Sequence, residues 1–318
     1  MPEWLIERGI GETRAALIDD GGIVEARIEL ENALAAASIT KARLLDIGIN
    51  GRNAVAIAEG GTEYLLPRGA PGATQGATLS IEVTREAIPG SEPWKRPLAR
   101  TTDKPTQVAP SVAGRELPFP APADELARSG WDDLVDEART GAVAFAGGQL
   151  RISATPAMTL IDVDGYLGPN ELAKVGAAEA AKAIRRLDIG GSVGIDLPTV
   201  AGKSDRQSVG DAIDAILPKP FERTAMNGFG FVQIVRPRTR PSLIELAQDR
   251  VAFEARALLR RAALEMAGAK RLVAHPAVIA LLEKRRNWLD ALSRQFGGTL
   301  SLRADAALPM SGGYAEKA

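Results

Sequence analysis

The stretch LIDVDG, residues 160–165, ends an apolar strand pattern with two carboxylates, Asp162 and Asp164. Side chains alternate along a strand, so these two aspartates share one face. Two like charges that close repel each other, and the sequence allows two explanations. Either Asp164 opens a solvated turn with Gly165, or a bound divalent cation makes the neighbouring carboxylates favourable.

Helix and strand patterns alternate around this stretch. MTLIDV is followed by a helix pattern from Pro169 to Leu187, the strand SVGIDL, a helix pattern from Asp205 to Leu217 and the strand FGFVQIV. This order predicts a βαβ unit and a further αβ step, with neighbouring parallel strands and helices packed on them. Both strands of a βαβ unit end at the same sheet edge, so we expect Asp162 and Asp196 to meet there. Gly190-Gly191 would let the chain turn closely under the site.

Three carboxylates, Asp162, Asp164 and Asp196, are therefore expected to converge at this edge. Hard oxygen ligands in that number suit Mg²⁺ or Mn²⁺. Such an ion polarises a phosphoryl oxygen and supplies a hydroxide-like nucleophile. The sequence thus indicates metal-assisted chemistry at a phosphate.

The segment VRPRTRPS places arginines at every second position. In an extended segment this alternation points three guanidiniums to one side, which suits a row of phosphates. The alternative is a solvated edge segment that Pro237 and Pro241 hold extended. The arginines concerned are Arg236, Arg238 and Arg240. Together with the aspartates they indicate cleavage of a phosphodiester.

The composition narrows the chemistry that the chain can carry. It has 318 residues, a hydrophobic share of 45% and a formal net charge of −1, as expected for a globular protein with room for two or more domains. The absence of cysteine excludes disulfides, thiolate catalysis and cysteine-bound zinc. The single histidine, His275, precedes Pro276 at a strand-to-helix junction, which favours a capping or packing role over a catalytic one.

The sequence shows no targeting signal. Its start, MPEWLIERG, is charged at once and lacks the apolar segment of a signal peptide. No apolar run reaches the length of a membrane span. We therefore expect a cytoplasmic protein without a membrane partner.

Short strand patterns separated by turn residues fill the first part of the chain. Residues 1 to about 36 predict the strands WLIERG, TRAALIDD and GIVEARIE, with a turn at Asp20-Gly21-Gly22. From about Lys41 to Val83 the runs ARLLDIGI, NAVAIAE, EYLLP and TLSIEVT predict a small OB-type barrel of five short strands. Residues from about 88 to 125 are rich in Pro, Thr and Lys, which predicts a linker.

Three motifs in order, MTLIDVDG, RRLDIGGSVGIDLP and NGFGFVQIVRPRTRPSL, resemble the catalytic core of the ribonuclease E/G family, bacterial endoribonucleases that prefer single strands. EWLIERGIGETRAALIDDGGIVEARIE is similar to the family's opening segment, and ITKARLLDIGINGRNAVAIAEGGTEYLLP to the start of its OB-type RNA-binding barrel. EARALLRRAALEMAGAKRLVAHPAVIALLEKRR is similar to its C-terminal small domain. The resemblance covers nearly the whole chain and is weakest between about 88 and 145.

The resemblance implies a multidomain protein of the α/β class, with helices and strands arranged in the α+β manner. It also implies a cytoplasmic metal-dependent endoribonuclease of RNA processing or decay, which hydrolyses single-stranded RNA with Mg²⁺ or Mn²⁺ and without zinc. The implied domains are N-terminal strands of an RNase H-like subdomain (1–36), an OB-type barrel (37–88), a linker and the remainder of the RNase H-like subdomain (89–145), a βαβ-containing DNase I-like catalytic metal-binding domain (146–245) and a small C-terminal α/β domain (246–318).

The resemblance also assigns roles to residues. Asp162 and Asp196 match the family's magnesium-binding aspartates. Asp164 stands where the family normally has asparagine, so it would position water or contribute a third ligand, with one more negative charge beside the metal. The candidates for RNA phosphate contacts are Arg236, Arg238 and Arg240.

Other positions depart from the family pattern. Gly228 replaces an arginine and Gln233 an acidic residue, which affects the phosphate-contacting surface. Ala56 and Leu65 stand where aromatics stack on bases, and each such contact is worth ~1–3 kcal/mol, so the barrel should bind RNA more weakly. These departures favour a second hypothesis, a catalytically degenerate RNA-binding or regulatory relative. A purely structural interaction module is a third, while the retained aspartates favour the enzyme.

Assembly must differ from that of the family, because the chain lacks the cysteines of the zinc link between subunits. A homodimer would therefore rest on apolar packing in the C-terminal region. The alternative is that the same residues form an internal core. The residues concerned are Leu258, Leu259, Leu281 and Leu282.

The region that binds the 5′-monophosphate of RNA in full-length relatives also lacks a convincing counterpart. That pocket is built around an Arg-Thr pair, and the interval 88–145 offers only Arg100-Thr101 and Arg139-Thr140. We therefore expect no sensor of the RNA 5′ end.

Overall fold

The structure, a computed structural model, describes residues 1–31, 33–89, 95–121, 123–265 and 267–317, and these form a mixed α/β fold. The strands are β1 (Glu3–Arg8), β2 (Glu12–Asp19), β3 (Gly22–Leu30), β4 (Ile39–Asp46), β5 (Ala54–Ala58), β6 (Glu63–Leu66), β7 (Thr78–Arg85), β8 (Leu98–Thr101), β9 (Arg115–Leu117), β10 (Ala142–Phe145), β11 (Gly148–Ala154), β12 (Thr159–Gly165), β13 (Gly191–Asp196), β14 (Glu222–Arg223), β15 (Phe231–Arg236), β16 (Lys270–Ala274), β17 (Leu300–Ala304) and β18 (Tyr314–Lys317). The helices are α1 (Glu125–Arg128), α2 (Trp131–Thr140), α3 (Pro169–Arg186), α4 (Lys203–Ile216), α5 (Leu243–Gln248), α6 (Arg250–Leu264), α7 (Pro276–Lys284) and α8 (Arg286–Phe296).

The first of two compact units is built from three segments, Met1–Glu31, Val112–Arg139 and Leu246–Ala318. Its N-terminal strands form a sheet of order β3-β2-β1-β9, in which β9 runs parallel to β1. The predicted turn after β2 is confirmed: Asp20 and Gly21 both have positive φ, as a tight hairpin turn requires. The C-terminal helices α6, α7 and α8 belong to this unit together with the sheet β17-β16-β18.

The structure of this unit tests two predictions from the sequence, one about four leucines and one about His275. Leu258, Leu259 and Leu282 are fully buried in it, and Leu281 packs against it. The expectation that these leucines carry a dimer interface is therefore wrong, and the alternative of an internal core is confirmed. His275 caps α7, because its Nδ1 accepts the Ala277 N–H at 3.2 Å, as predicted.

The second unit, Asn32–Ser111 and Thr140–Glu245, begins with a closed barrel of order β4-β5-β6-β8-β7. The prediction of a five-stranded barrel is confirmed, but its fifth strand, β8, lies in the segment predicted as a linker. Strand β9 also lies there. The linker prediction was therefore wrong at these strands, because three- and four-residue strands that pair with distant partners leave no periodic pattern. Part of that segment, residues 90–94, lies outside the described residues.

The rest of the second unit is a six-stranded sheet of order β10-β11-β12-β13-β15-β14. Strands β12 and β13 are parallel and joined by α3, so the predicted βαβ unit is confirmed. The further strand β15 is antiparallel to β13, contrary to the expectation of another parallel neighbour. The reason is β14, which forms a hairpin with β15 and sends the chain back beside β13.

One face of the six-stranded sheet is covered by α3, which packs on β11 and β12 and against α4. Both helices match the predicted patterns within two residues at each end. Within the described ranges, none of the helices combines the length and the apolar character that a membrane span needs.

Candidate active site

The centre of the candidate site is a pair of aspartates on neighbouring strands. Asp162 of β12 lies directly opposite Asp196 of β13 in the parallel register. Along β12 the residues Thr159, Ile161 and Val163 are buried, whereas Leu160, Asp162 and Asp164 are exposed. The structure therefore brings the two predicted aspartates together, at the carboxyl end of the βαβ strands and on the face opposite the helices.

The carboxylates of this site influence one another. The pKa of Asp162 is raised above its ordinary value, first because the sheet removes part of the water around this exposed carboxylate and then by the negative charges of Asp164 and Asp196. A hydrogen bond from the Val163 N–H lowers the pKa and so opposes part of this rise. The site thus concentrates negative charge, and a bound cation would relieve it.

The antiparallel neighbours of the aspartates supply a guanidinium. Arg151 of β11 lies opposite Asp162, and Gln149 lies opposite Asp164. Residues paired directly across two strands project from the same face. Arg151 is exposed, so its guanidinium is available beside the aspartates. A cation next to two carboxylates suits a substrate that is itself an anion.

An apolar floor lies on the same face. Phe231 of β15 is opposite Asp196, and its ring lies over Gly194. A Cβ atom at Gly194 would be only 2.4 Å from the ring and 3.1 Å from Leu160 Cδ2, so glycine is required for this close approach. The ring of Phe231 and the side chain of Leu160 therefore meet above β13, beside the aspartate pair.

Two further aromatics lie at the sheet edge where the strands of the aspartates end. Tyr166 follows β12 and is 85% exposed, and Phe229, in the turn before β15, is 86% exposed. The turn is well ordered, because the side chain of Asn227 accepts the N–H groups of Phe229 and Phe231 at 2.9 and 3.0 Å. The candidate site is therefore a group of charges bordered by apolar rings.

The predicted arginine segment lies at the other edge of the sheet. Arg236 is opposite Gly191, five residues before Asp196 along β13, which is about 16 Å at roughly 3.3 Å per residue. Gly190 and Gly191 also lie at that edge, and a Cβ atom at Gly190 would be 2.7 Å from the Pro237 carbonyl oxygen. The expectation that these glycines lie under the aspartates was therefore wrong: they admit the arginine segment instead.

All three predicted arginines have partners within the chain. Arg236 donates from Nη1 to the carbonyls of Ile189 and Ile184, at 2.9 and 3.4 Å. Arg240 Nε is 3.2 Å from Asp188 Oδ2, and Arg238 pairs with Glu245. These contacts give the segment a structural role, and its assignment to RNA phosphates stays a prediction.

The departures from the family pattern lie in three different surroundings. Ala56 is fully buried in the barrel and Leu65 is half-buried, and their correspondence to the family's stacking aromatics stays a prediction. Gly228 is exposed, and a Cβ atom there would meet no other atom within 4 Å. Gln233 lies opposite Gly194, on the face of the aspartates.

Two carboxylates, rather than three, fit a metal here. In the part of the chain that the structure describes, no group of three or more Asp, Glu, His or Cys side chains is arranged to hold an ion. Mg²⁺ commonly binds proteins through one or two carboxylates and keeps several waters. The Asp162–Asp196 pair supplies that number of carboxylates.

No protein-family model matches this chain, and no curated protein matches it either. The likeness to the ribonuclease E/G family therefore rests on the motifs in the sequence. The activity of that family is therefore a proposal for this chain, supported by these motifs and by the geometry of the site.

Three residues of the candidate site were not predicted from the sequence: Arg151, Tyr166 and Phe231. A signal for Tyr166 was present, because it continues the alternation of Asp162 and Asp164 by one further step. Arg151 carried no such signal, since only the register of β11 against β12 shows that it faces Asp162. Phe231 likewise depends on the antiparallel direction of β15.

Proposed function

We propose that this chain is a Mg²⁺-dependent endoribonuclease of the ribonuclease E/G type, which hydrolyses single-stranded RNA in the cytoplasm. The observation that carries the proposal is the register of Asp162 against Asp196 on adjacent parallel strands of an exposed sheet face. Open α/β sheets bind their ligands at this edge. The motifs in the sequence supply the choice of RNA as substrate.

Each residue of the site has a part in this proposal. Asp162 and Asp196 would hold the metal, which when bound would polarise a phosphoryl oxygen and activate water. Asp164 would accept a hydrogen bond from the attacking water and orient it. Arg151 would bind a non-bridging phosphate oxygen beside the pair. Hydrolysis forms one P–O bond to the oxygen of water and breaks one P–O bond to ribose, and the proton that the water loses ends on the ribose oxygen that leaves.

The arginine segment extends the proposed RNA path. An RNA strand that crosses the sheet face from the aspartates would reach Arg238 and Arg240, whose side chains are about a quarter exposed. We propose these two as contacts for phosphates several nucleotides away from the scissile bond. Arg236, the third predicted arginine, donates to two backbone carbonyls and is assigned a structural role instead. Manganese is a proposed substitute for magnesium, and zinc has no proposed role.

The finer assignment of the fold belongs to the same proposal. In the barrel, β8 follows β7 in sequence but lies between β6 and β7 in the sheet. This strand order supports an OB-type barrel, since that fold is a five-stranded Greek-key barrel. The N-terminal sheet would be RNase H-like, and the six-stranded sheet with α3 and α4 would be DNase I-like. A homodimer, if formed, would use surfaces other than the buried leucines.

Incubation with a labelled single-stranded RNA oligonucleotide tests the proposal. We expect cleavage with Mg²⁺, none with EDTA, and a loss of at least a hundredfold in Asp162→Asn and Asp196→Asn, because the metal ligands carry the reaction. Asp211→Asn removes an exposed carboxylate of α4, and this variant should cut normally. Matched DNA and duplex RNA test the choice of substrate.

A second candidate function is a non-catalytic RNA-binding protein, which the exposed Gly228 favours, because glycine offers no side chain to a phosphate where the family has an arginine. Fluorescence anisotropy in EDTA, beside the cleavage assay, separates the two candidates. RNA binding without Mg²⁺-dependent cutting would support the binding protein. Cutting that Asp162→Asn leaves unchanged would contradict the nuclease site.

A further inference from the structure

The two most exposed aromatic side chains of the described chain border the aspartate pair. Tyr166 and Phe229 are 85% and 86% exposed, whereas Trp131, Tyr64 and Phe253 are buried. An exposed ring contributes nothing to the core and leaves a large apolar area in water. Only 4% of the residues are aromatic, so two such rings at one sheet edge require an explanation.

The backbone holds both rings in fixed places. The N–H of Tyr166 donates to the Gly147 carbonyl at 3.1 Å, which anchors it beside the β10–β11 turn. On the other side, the Leu197 N–H donates to the Gly230 carbonyl at 3.1 Å, which anchors the turn that carries Phe229 directly after Asp196. Both aromatics therefore lie at the sheet edge where the strands of the aspartates end, and hydrogen bonds hold their backbone in place.

We propose that Tyr166 and Phe229 stack on the nucleobases that flank the scissile phosphodiester, with Leu160 and Phe231 as an apolar floor on the same face of the sheet. This inference rests on the proposed nuclease function. A base beside a phosphate requires a flat apolar surface next to a cation and a metal ligand, and this face offers all three.

If the two rings stack on bases, the bases of the bound RNA are unstacked from one another beside the scissile bond. Each base that stacks on a protein ring must leave its neighbour in the RNA strand, so a duplex would have to open first. The preference for single strands would then originate at the catalytic sheet. Sequence tolerance would follow, since every base has a face on which a ring can stack.

Steady-state cleavage by the full chain tests the stacking residues. We expect Tyr166→Ala and Phe229→Ala each to raise KM about tenfold and to change kcat less than threefold, while Tyr166→Phe and Phe229→Tyr stay within twofold of wild type. Val108→Ala, at an exposed apolar position outside the six-stranded sheet, is the matched control and should also stay within twofold. Equal effects of the alanine and aromatic variants would overturn the inference.

Oligonucleotides with one abasic residue separate base stacking from a general effect on folding. For wild type, an abasic residue next to the scissile bond should weaken binding about tenfold, equivalent to ~1.4 kcal/mol. For the alanine variants the same abasic residue should cost less than twofold, because the stacking partner is already missing. An abasic penalty that is the same in wild type and variants would overturn the inference.

The binding arm, measured by anisotropy in EDTA, keeps this inference distinct from the nuclease proposal. If wild type does not cut RNA but the loss of affinity caused by the abasic residue still depends on Tyr166 and Phe229, the nuclease proposal is wrong and the stacking inference is supported. If wild type cuts and the penalty does not depend on them, only the stacking inference fails. Absence of both cutting and binding would overturn both.

Discussion

Asp162 is the residue at which stability and proposed function oppose each other. Burial and the charges of Asp164 and Asp196 raise its pKa, so its ionised form is less favourable in the folded chain than in the unfolded chain. A raised carboxyl pKa contributes stability at low pH, where the group is protonated, and that contribution is lost as the pH rises through the folded-state pKa. At neutral pH the charged site therefore lowers the free energy of unfolding.

We expect Asp162→Asn to abolish cleavage and, without metal, to raise the Tm at neutral pH. The gain should vanish in acid below the pKa of the wild-type carboxyl, where both side chains are neutral. Added Mg²⁺ should raise the Tm of wild type but not that of the variant, because only the wild type retains the complete pair. Thermal melts with and without EDTA measure this, with Asp211→Asn as control. A lower Tm for Asp162→Asn at neutral pH would contradict the assignment.

At the scale of elements, the arginine segment fixes the end of β15 against neighbouring elements. Arg236 donates to two carbonyls, of Ile184 in α3 and of Ile189 in the loop that leads to β13. Arg240 pairs with Asp188 in that loop, and Arg238 pairs with Glu245 of α5. The segment thus closes the amino edge of the sheet, while Arg151 occupies the carboxyl edge.

We expect Arg236→Ala to lower the free energy of unfolding by ~1–3 kcal/mol, because hydrogen bonds from a charged donor are lost. Arg151→Ala should leave the stability within ~0.5 kcal/mol, since an exposed side chain without such contacts is lost. Urea unfolding compares the two variants.

Salt dependence of RNA binding then separates the two roles. Arg151→Ala should reduce the slope of log affinity against log salt by about one, as the loss of a phosphate contact does. The same reduction in Arg236→Ala, with unchanged stability, would instead make Arg236 a phosphate contact.

Sequence patterns predicted the elements that have strong periodicity and clear ends. The helix that begins at Pro169, the βαβ unit and the barrel strands between Lys41 and Val83 all follow from local sequence. The direction of β15 did not, because it depends on the two-residue strand β14, which pairs only with β15. Strands β8 and β9 were also not predicted, because their few residues are stabilised by partners that are distant in the sequence.

The candidate site was predictable in part. The meeting of Asp162 and Asp196 follows from the handedness of βαβ connections, which local sequence identifies. The position of the arginine segment does not follow from its place after the aspartates in the sequence. An antiparallel strand carries the chain away from the site, so the residues at its far end lie at the opposite edge. Arg151 becomes visible only through the register of β11.

At the scale of the whole chain, a buried ion network connects distant segments of the first unit. Arg260 of α6 pairs with Glu7 of β1 at 2.9 Å and with Asp124 at 2.7 Å. Arg14 pairs with Glu7 at 2.7 Å, and Arg256 pairs with Glu12 at 2.7 Å. Segments more than 200 residues apart in sequence are thereby fixed to one another. A buried network of this kind specifies one arrangement, since any missing partner leaves an unpaired charge.

We expect Arg260→Met to lower the free energy of unfolding by ~3–5 kcal/mol, because the buried Glu7 and the partly buried Asp124 each lose one of their partners. Burial opposes ionisation of Asp124, but hydrogen bonds from Arg260 and from the Ala127 N–H hold its pKa below the ordinary value. A lowered carboxyl pKa contributes stability above the unfolded-state pKa, and this is lost as the pH falls through the folded-state pKa. Urea unfolding across acidic pH should therefore show a smaller difference between wild type and Arg260→Met in acid.

The matched control for the network is Arg8→Met, which breaks the exposed pair with Glu116 in the same unit. Exposed ion pairs contribute little, so this change should cost less than ~1 kcal/mol. Equal losses in Arg8→Met and Arg260→Met would show that burial of the network does not govern its contribution.

The last prediction concerns the 5′ end of the proposed RNA substrate. A phosphate pocket needs several donors held around the anion, but both Arg-Thr pairs of the interval 88–145 have arginines with carboxylate partners: Arg100 pairs with Glu82, and Arg139 with Glu254. We therefore expect oligonucleotides with a 5′-hydroxyl, monophosphate or triphosphate to be cut at rates within a few-fold of one another. Competition between the three in one reaction measures this directly. A preference for the monophosphate above roughly tenfold, or ~1.4 kcal/mol, would mean that one of these arginines exchanges its carboxylate for the RNA phosphate. In that case Arg100→Lys or Arg139→Lys should remove the preference and leave cleavage of the 5′-hydroxyl substrate unchanged.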